Sequence, residues 1–238
     1  MKCKFSEAQF QFNILHEIVN KLSSDKGWNM PIIPSLAKEN DLGYDCKLDS
    51  SFKVLFFQFK IPEKLTRKNA KYWSYFSGPY YKFKIWPDLL TPQHNKLIEL
   101  ANSDKRYNVF YCSPSFIDVD ELQLFYHKKE IAKNSIFVPC KNLSKINGKD
   151  KHDICYTINP RKIVMHSDIY EVNGMDYNEF IMEISECQYS NSEEVIDNLS
   201  QILKIDINKN LSSPEQLRII AENLLCEYNI QTLLFFDV

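Results

Sequence analysis

From Val54 to Phe59 the chain reads Val-Leu-Phe-Phe-Gln-Phe, apolar at every position but one, and then turns polar at Lys60. A half-exposed strand would alternate apolar and polar residues, so a run apolar on both faces requires burial between two layers. Its aromatic and β-branched content, and its short length before Pro62, mark it as a strand rather than a helix. Such a strand needs covering elements on either side, which makes the fold class α/β, a mixed sheet flanked by helices. The two-residue period of a strand places Gln58 and Lys60 on one face at its polar end.

The covering elements are legible. Ser6 precedes Phe10, Ile14, Leu15, Ile18, Val19 and Leu22, the 3.6-residue spacing of an amphipathic helix with Ser6 as its cap and residues 23–27 as its stop. Gly43 to Leu48 alternates as a strand, and a turn at Asp49-Ser50-Ser51 pairs it antiparallel with the buried one, bringing Asp45 beside Gln58 and Lys60. Thr91-Pro92 opens a helix carrying Leu97, Ile98, Leu100 and Ala101, and Val109 to Cys112 follows as a strand. Asp120 to Ala132 reads as helix, Ser135 to Val138 as extended, Asn142 to Asp153 as a lysine-rich loop and Ile154 to Ile158 as a strand. Two acidic amphipathic helices follow, near Glu193 to Leu203 and Ser213 to Tyr228, the second with Ser213 as cap and Pro214 at its first position, and Thr232 to Phe236 closes as a strand. Residues 62–88, interrupted by Pro62, Gly78-Pro79 and Pro87, read as an insertion with a short helix from about Thr66 to Tyr75 and a strand-like alternation from Tyr80 to Trp86.

Composition narrows the function classes. At 238 residues, 44% apolar, the chain is long enough for one large core, and it has no apolar run long enough to span a bilayer. The N-terminus lacks the apolar stretch of a signal peptide, and the seven cysteines are scattered and odd in number, so the expectation is a cytoplasmic protein with reduced thiols and no membrane partner. Cys140, His152 and Cys155 have no fourth ligand at a matching spacing, and no zinc site is expected. Phosphate-loop, dinucleotide, nucleophile-elbow and zincin motifs are absent. The net charge of −2 hides an asymmetry: residues 168–238 carry three basic residues against fourteen acids, a net of −11 that leaves +9 on residues 1–167. That pattern divides the chain into a basic core, 1–167, and an acidic helical C-terminal extension packed on it, 168–238. A basic body points to a polyanion, and an acidic segment points to a protein partner or to a screen for that body.

A carboxylate, an amide oxygen and a lysine converging at the end of a strand suit metal-dependent phosphodiester hydrolysis. Hard oxygen donors hold Mg²⁺ or Mn²⁺, and an ammonium orients the attacking water or steadies developing charge. In these residues the chain resembles the PD-(D/E)xK nuclease superfamily, in the Q-x-K variant of Mrr-type restriction endonucleases. Gly43-Tyr44-Asp45 matches the aspartate strand and Gln58-Phe59-Lys60 the Q-x-K strand, and the element order over residues 5–113 is similar to the family's α-β-β-β-α-β core. The family's proline before the aspartate is missing, and Gln58 replaces its second acid. The resemblance implies a restriction-endonuclease-like fold and Mg²⁺-dependent DNA cleavage in restriction, defence or repair. Asp45 and Gln58 would be metal ligands, Lys60 would position water, and a helix-one glutamate, Glu7 or Glu17, would complete the site. Nucleases of this type often cut both strands as homodimers, though no dimer surface is legible here. Two other readings stand beside it: a binding module that has lost turnover, and a protein-interaction subunit of a defence complex.

The insertion adds a second signal. Between Lys60 and Trp86, Lys64, Arg67, Lys68, Lys71, Lys82 and Lys84 face only Glu63 as an acid, interleaved with eight aromatics. Lysines neutralise phosphates and aromatic faces stack on unpaired bases, so these residues are candidate contacts to DNA or RNA. Lys64, Arg67, Lys68 and Lys71 share a stripe if the segment is helical, and His94, at the start of the next helix, is a further candidate for phosphate contact.

Overall fold

The computed structural model describes residues 1–26, 52–86, 92–146, 152–159, 161–165, 170–186 and 188–236. The expected strand at 43–48, with Asp45, lies outside them. In chain order the elements are α1 (Glu7–Lys26), β1 (Phe52–Phe59), β2 (Glu63–Leu65), α2 (Trp73–Phe76), β3 (Tyr80–Ile85), α3 (Gln93–Ser103), β4 (Tyr107–Pro114), α4 (Val119–Lys128), β5 (Ser135–Pro139), β6 (His152–Thr157), β7 (Lys162–Met165), β8 (Tyr170–Glu171), α5 (Tyr177–Glu186), α6 (Ser192–Leu203), α7 (Ser213–Tyr228) and β9 (Gln231–Phe236), with short 3₁₀ turns at Ala132–Asn134 and Cys140–Asn142.

They form two sheets. One runs β5-β4-β1-β9, with β1 parallel to β4 and antiparallel to β9; the other is antiparallel, in the order β2-β3-β6-β7-β8. The doubly apolar sequence of β1 explains its place. Leu55, Phe57 and Phe59 pack beneath α1, α4 and α5, while Val54 and Phe56 face a second core shared with the other sheet, α3, α6 and α7. Phe57 is fully buried against Phe59, Phe110 and Phe180. A third, smaller cluster of Tyr72, Phe76, Tyr80, Cys155 and Val164 covers the outer face of the second sheet.

Three sequence expectations change. Residues 62–86 are more regular than an insertion: the alternating stretch forms the strand β3, with Tyr80 buried on one face and Phe83 and Ile85 on the other, and with β2 it founds a second sheet. The helix expected from Thr66 to Tyr75 shrinks to Trp73–Phe76, preceded by turns, so Lys64, Arg67, Lys68 and Lys71 form no helical stripe. The antiparallel neighbour of β1 over Phe52–Phe57 is β9, and β4 takes the other edge, so both edges of this stretch are occupied without the 43–48 segment.

The C-terminal segment is part of the core. Val195, Leu199, Leu217, Ile220, Leu224, Ile230 and Leu234 join the cluster that holds β3, β4 and β6. Its helices stand where the sequence puts them, with α5 in addition, and the cap of α7 is Ser212 rather than Ser213, paired with Glu215 in a capping box with Pro214 in the first turn. No helix among the described residues is long and apolar enough to cross a membrane.

Candidate functional site

Lys60 follows the last residue of β1, and its backbone N–H continues the ladder to Cys112. The N-cap of α1 decides what stands opposite. Ser6 Oγ accepts from the backbone of Gln9, which starts the helix at Glu7 and presents that carboxylate in the first turn. Glu7 and Lys60 are electrostatic partners, and Glu7 also accepts from the backbone N–H of Ile61. Burial pushes the Glu7 carboxyl above its ordinary value and the Lys60 ammonium below its own; each opposes the other's shift.

Two further side chains tie this pair to distant parts of the chain. Lys60 Nζ donates to Gln93 Oε1 at 3.0 Å, and Gln93 Nε2 donates to the Tyr228 carbonyl at 2.6 Å. Asn229 occupies the left-handed position that ends α7 and donates to Glu7 Oε1 at 3.4 Å. One turn along α1, Gln11 donates to Gln231 Oε1 of β9 at 2.9 Å. The first turns of α1 and α3, the end of β1 and the α7–β9 corner therefore meet at one place. Sequence reading missed Gln93 and Asn229: Pro92 marks a helix start and Asn229 a helix stop, and both signals are fully explained by those roles.

Gln58 is 1% exposed. Its Nε2 donates to the Phe59 carbonyl at 3.0 Å, and its Oε1 is a buried acceptor with no donor among the described residues. A groove of about 350 Å³ opens over the pair, lined by Lys2, Cys3, Glu7, Lys60, Ile61, Pro62, Glu63, Lys82, Phe83, Lys84 and Trp86. The N-terminus forms one wall, since Lys2 bridges to Glu63 and the Lys64 N–H donates to the Met1 carbonyl.

Other candidates stand elsewhere. Glu17 accepts from the backbone N–H groups of Ile131 and Ala132 at 2.8 and 3.3 Å, which makes it the anchor of a 3₁₀ turn, away from Lys60. His94 is 2% exposed, with Nδ1 3.0 Å from the Tyr111 hydroxyl and Nε2 3.0 Å from the Ser144 carbonyl, so it belongs to the core and not to a phosphate-contacting surface. Lys82 pairs with Asp153 at 3.3 Å and with Glu63 at 3.7 Å, and Lys64 lies over the Tyr81 ring, while Arg67, Lys68, Lys71 and Lys84 are exposed. Burial raises the Cys140 and Cys155 thiols, which leaves both as poor thiolates. Among the described residues no three His, Cys, Asp or Glu side chains are grouped to hold a metal. No family model, no curated protein and no solved structure matches this chain.

Proposed function

We propose that this chain is a metal-dependent nuclease acting on DNA, of the PD-(D/E)xK type in its Q-x-K form. The observation that carries the reading is the Glu7–Lys60 pair, on the floor of an open groove at the end of a central strand. The parallel β1 and β4 with α3 between them in sequence support it, as does the helix-one glutamate opposite the lysine of Q-x-K.

The donor chemistry suits Mg²⁺ or Mn²⁺. Glu7 is a carboxylate in the groove, Gln58 Oε1 is a buried oxygen with no donor among the described residues, and both are hard ligands of the kind these cations take. Glu7 and Gln58 would hold the metal with Asp45, whose part rests on the motif alone. When bound, the ion polarises a phosphate oxygen and makes a bound water more acidic. Lys60 then supplies positive charge where the pentacovalent phosphate gathers negative charge, and Gln93 fixes the lysine by accepting from it. Exposed Arg67, Lys68, Lys71 and Lys84 contribute backbone attraction without base readout.

A second reading, a binding module without turnover, is favoured by one observation. Gln58 is turned into the sheet and bonded to its own strand, so ligation requires that side chain to rotate. Incubating supercoiled plasmid and single-stranded DNA with purified protein and Mg²⁺ or Mn²⁺ separates the two. Cleavage is expected for the parent and is expected to fall about a hundredfold or more in Asp45→Ala, Glu7→Gln and Lys60→Ala variants of equal thermal stability, and to vanish in EDTA. A parent that binds DNA in a salt-sensitive manner but never cuts leaves the binding module, and one that neither binds nor cuts removes both readings.

A further inference from the structure

One edge of β4 is paired along only part of its length, and we infer that the uncovered part takes an extended acidic segment of a partner protein as an added strand. β5 meets β4 from Phe110 to Pro114, with Pro139 opposite Phe110 as its last rung, and beyond Pro139 the chain leaves in the 3₁₀ turn Cys140–Asn142. Tyr107, Asn108 and Val109 are held by β1 on their far side, but among the described residues no strand lies along their near edge. A cavity of about 360 Å³ opens there, lined by these three residues together with Lys105, Lys141 and Glu183. It stands at the start of β4, the opposite end of the parallel β1–β4 pair from Lys60.

The ladder decides which backbone groups face that edge. Phe137 exchanges both of its bonds with Met175, away from β4, and the Cys112 carbonyl opposite it accepts from Lys60 on the β1 side. Bonding direction alternates along a strand, so Tyr111 and, two residues back, Val109 present their N–H and C=O on the β5 side. Tyr111 has Val138 opposite it, whereas beside Val109 the strand has already ended.

Two side-chain groups lack partners at the same place. Asn108 is 7% exposed, and its Nδ2 has no acceptor among the described residues. The Tyr107 hydroxyl, on a residue 6% exposed, has no hydrogen-bond partner among them either. A buried donor left unmade is a cost to the fold, and an acceptor brought by a ligand removes it. The sign of that ligand follows. Asn108 Nδ2, the Tyr107 hydroxyl and the Val109 N–H all offer hydrogens, and Lys105 stands exposed at the rim with no ion pair among the described residues. Lys141 is already paired with Glu183 and adds no open charge. An extended peptide supplies the backbone that the strand edge lacks and, at alternate positions, carboxylates for Lys105 and Asn108.

The test titrates a fluorescent heptapeptide of alternating valine and glutamate into the full chain, beside the same peptide with lysine in place of glutamate. The parent is expected to bind the glutamate peptide saturably and the lysine peptide not at all. Asn108→Leu should lose about tenfold or more in affinity while its melting temperature rises, because leucine fills the space without a buried unpaired amide. Lys105→Ala should lose about two- to fivefold, and Lys128→Ala, an exposed cation of α4, nothing. Should Asn108→Leu fold poorly, Lys105→Ala, at an exposed position, decides. The inference is overturned if the parent does not bind the glutamate peptide, if both peptides bind alike, or if the folded Asn108→Leu and Lys105→Ala variants keep the parent's affinity. A parent that sediments as a dimer, dissociated by Lys105→Ala, would give the edge to a second copy and overturn it as well. Neither readout involves DNA, so the result stands apart from the nuclease reading.

Discussion

The two glutamates of α1 show how neighbours decide what a carboxylate does. Glu7 and Glu17 belong to the same helix and both are raised by burial, but their partners differ. Glu7 meets an ammonium and opens onto a groove; Glu17 meets two backbone N–H groups and closes a turn. Removing Glu17 strands two buried donors, so Glu17→Ala should cost about 1–3 kcal/mol of stability in urea unfolding and leave the proposed DNA cleavage, per folded molecule, unchanged. The pH dependence has a definite sign. A carboxyl whose folded value lies above its unfolded value contributes stability below the unfolded value and loses it as pH rises through the folded one. Glu17→Gln keeps an acceptor and removes that titration. Its melting temperature should therefore match the parent below about pH 4 and gain on it as pH rises toward neutrality; a gap that closes with rising pH would show that the two N–H bonds outweigh burial.

At the scale of the element, β1 organises both the fold and the site. Its two faces belong to two separate cores, so one substitution probes one layer: Phe57→Ala empties space among Phe59, Phe110 and Phe180 beneath α1 and α5 and should lower stability by about 3–5 kcal/mol in chemical denaturation. A loss under about 1 kcal/mol would mean that the layer collapses around the vacancy. β1 was also the most legible part of the chain, because burial on both faces leaves its mark on every residue. The helices α1, α3, α6 and α7 were legible for a related reason, their apolar stripes and caps being local. The pairing of the second sheet was not. Its strands are short, and β3 pairs with β6 some seventy residues away, a partner no local pattern specifies. The same limit applied to the site. Gln58 and Lys60 could be picked out by a motif with its own internal spacing, and Glu7 as one of two helix-one glutamates that the resemblance implies, whereas Gln93 and Asn229 join them through the α7–β9 corner, and only the pairing of β9 with β1 brings that corner there. His94 was misread because a polar side chain in a first helical turn looks the same whether it faces solvent or a buried tyrosine.

Over the whole molecule, the charge asymmetry raises the question of whether the acidic C-terminal segment is a detachable screen for the basic body. Ion pairs do cross between them, Arg106 with Glu194, Lys141 with Glu183 and Arg161 with Asp176 and Glu179. All involve partly exposed side chains, and such pairs contribute about 0–1 kcal/mol each and weaken with salt. The apolar attachment is of another order. Five residues of α6 and α7 alone, Val195, Leu199, Leu217, Ile220 and Leu224, are buried at 3% exposure or less, and fully burying such side chains is worth about 1.5–3 kcal/mol each. β9 adds a strand's worth of hydrogen bonds to β1, and its corner holds Gln93 and Glu7. Hydrophobic burial is not screened, so salt should not release the segment. Raising sodium chloride from low to molar concentration is therefore expected to leave a single cooperative melting transition that moves by only a few degrees, while the DNA affinity that the proposed function requires falls steeply over the same range through counterion release. A melt that splits in two, with tighter DNA binding as the first transition is passed, would instead identify the segment as a screen held by charge, and would require that β9 leave the sheet without unfolding β1.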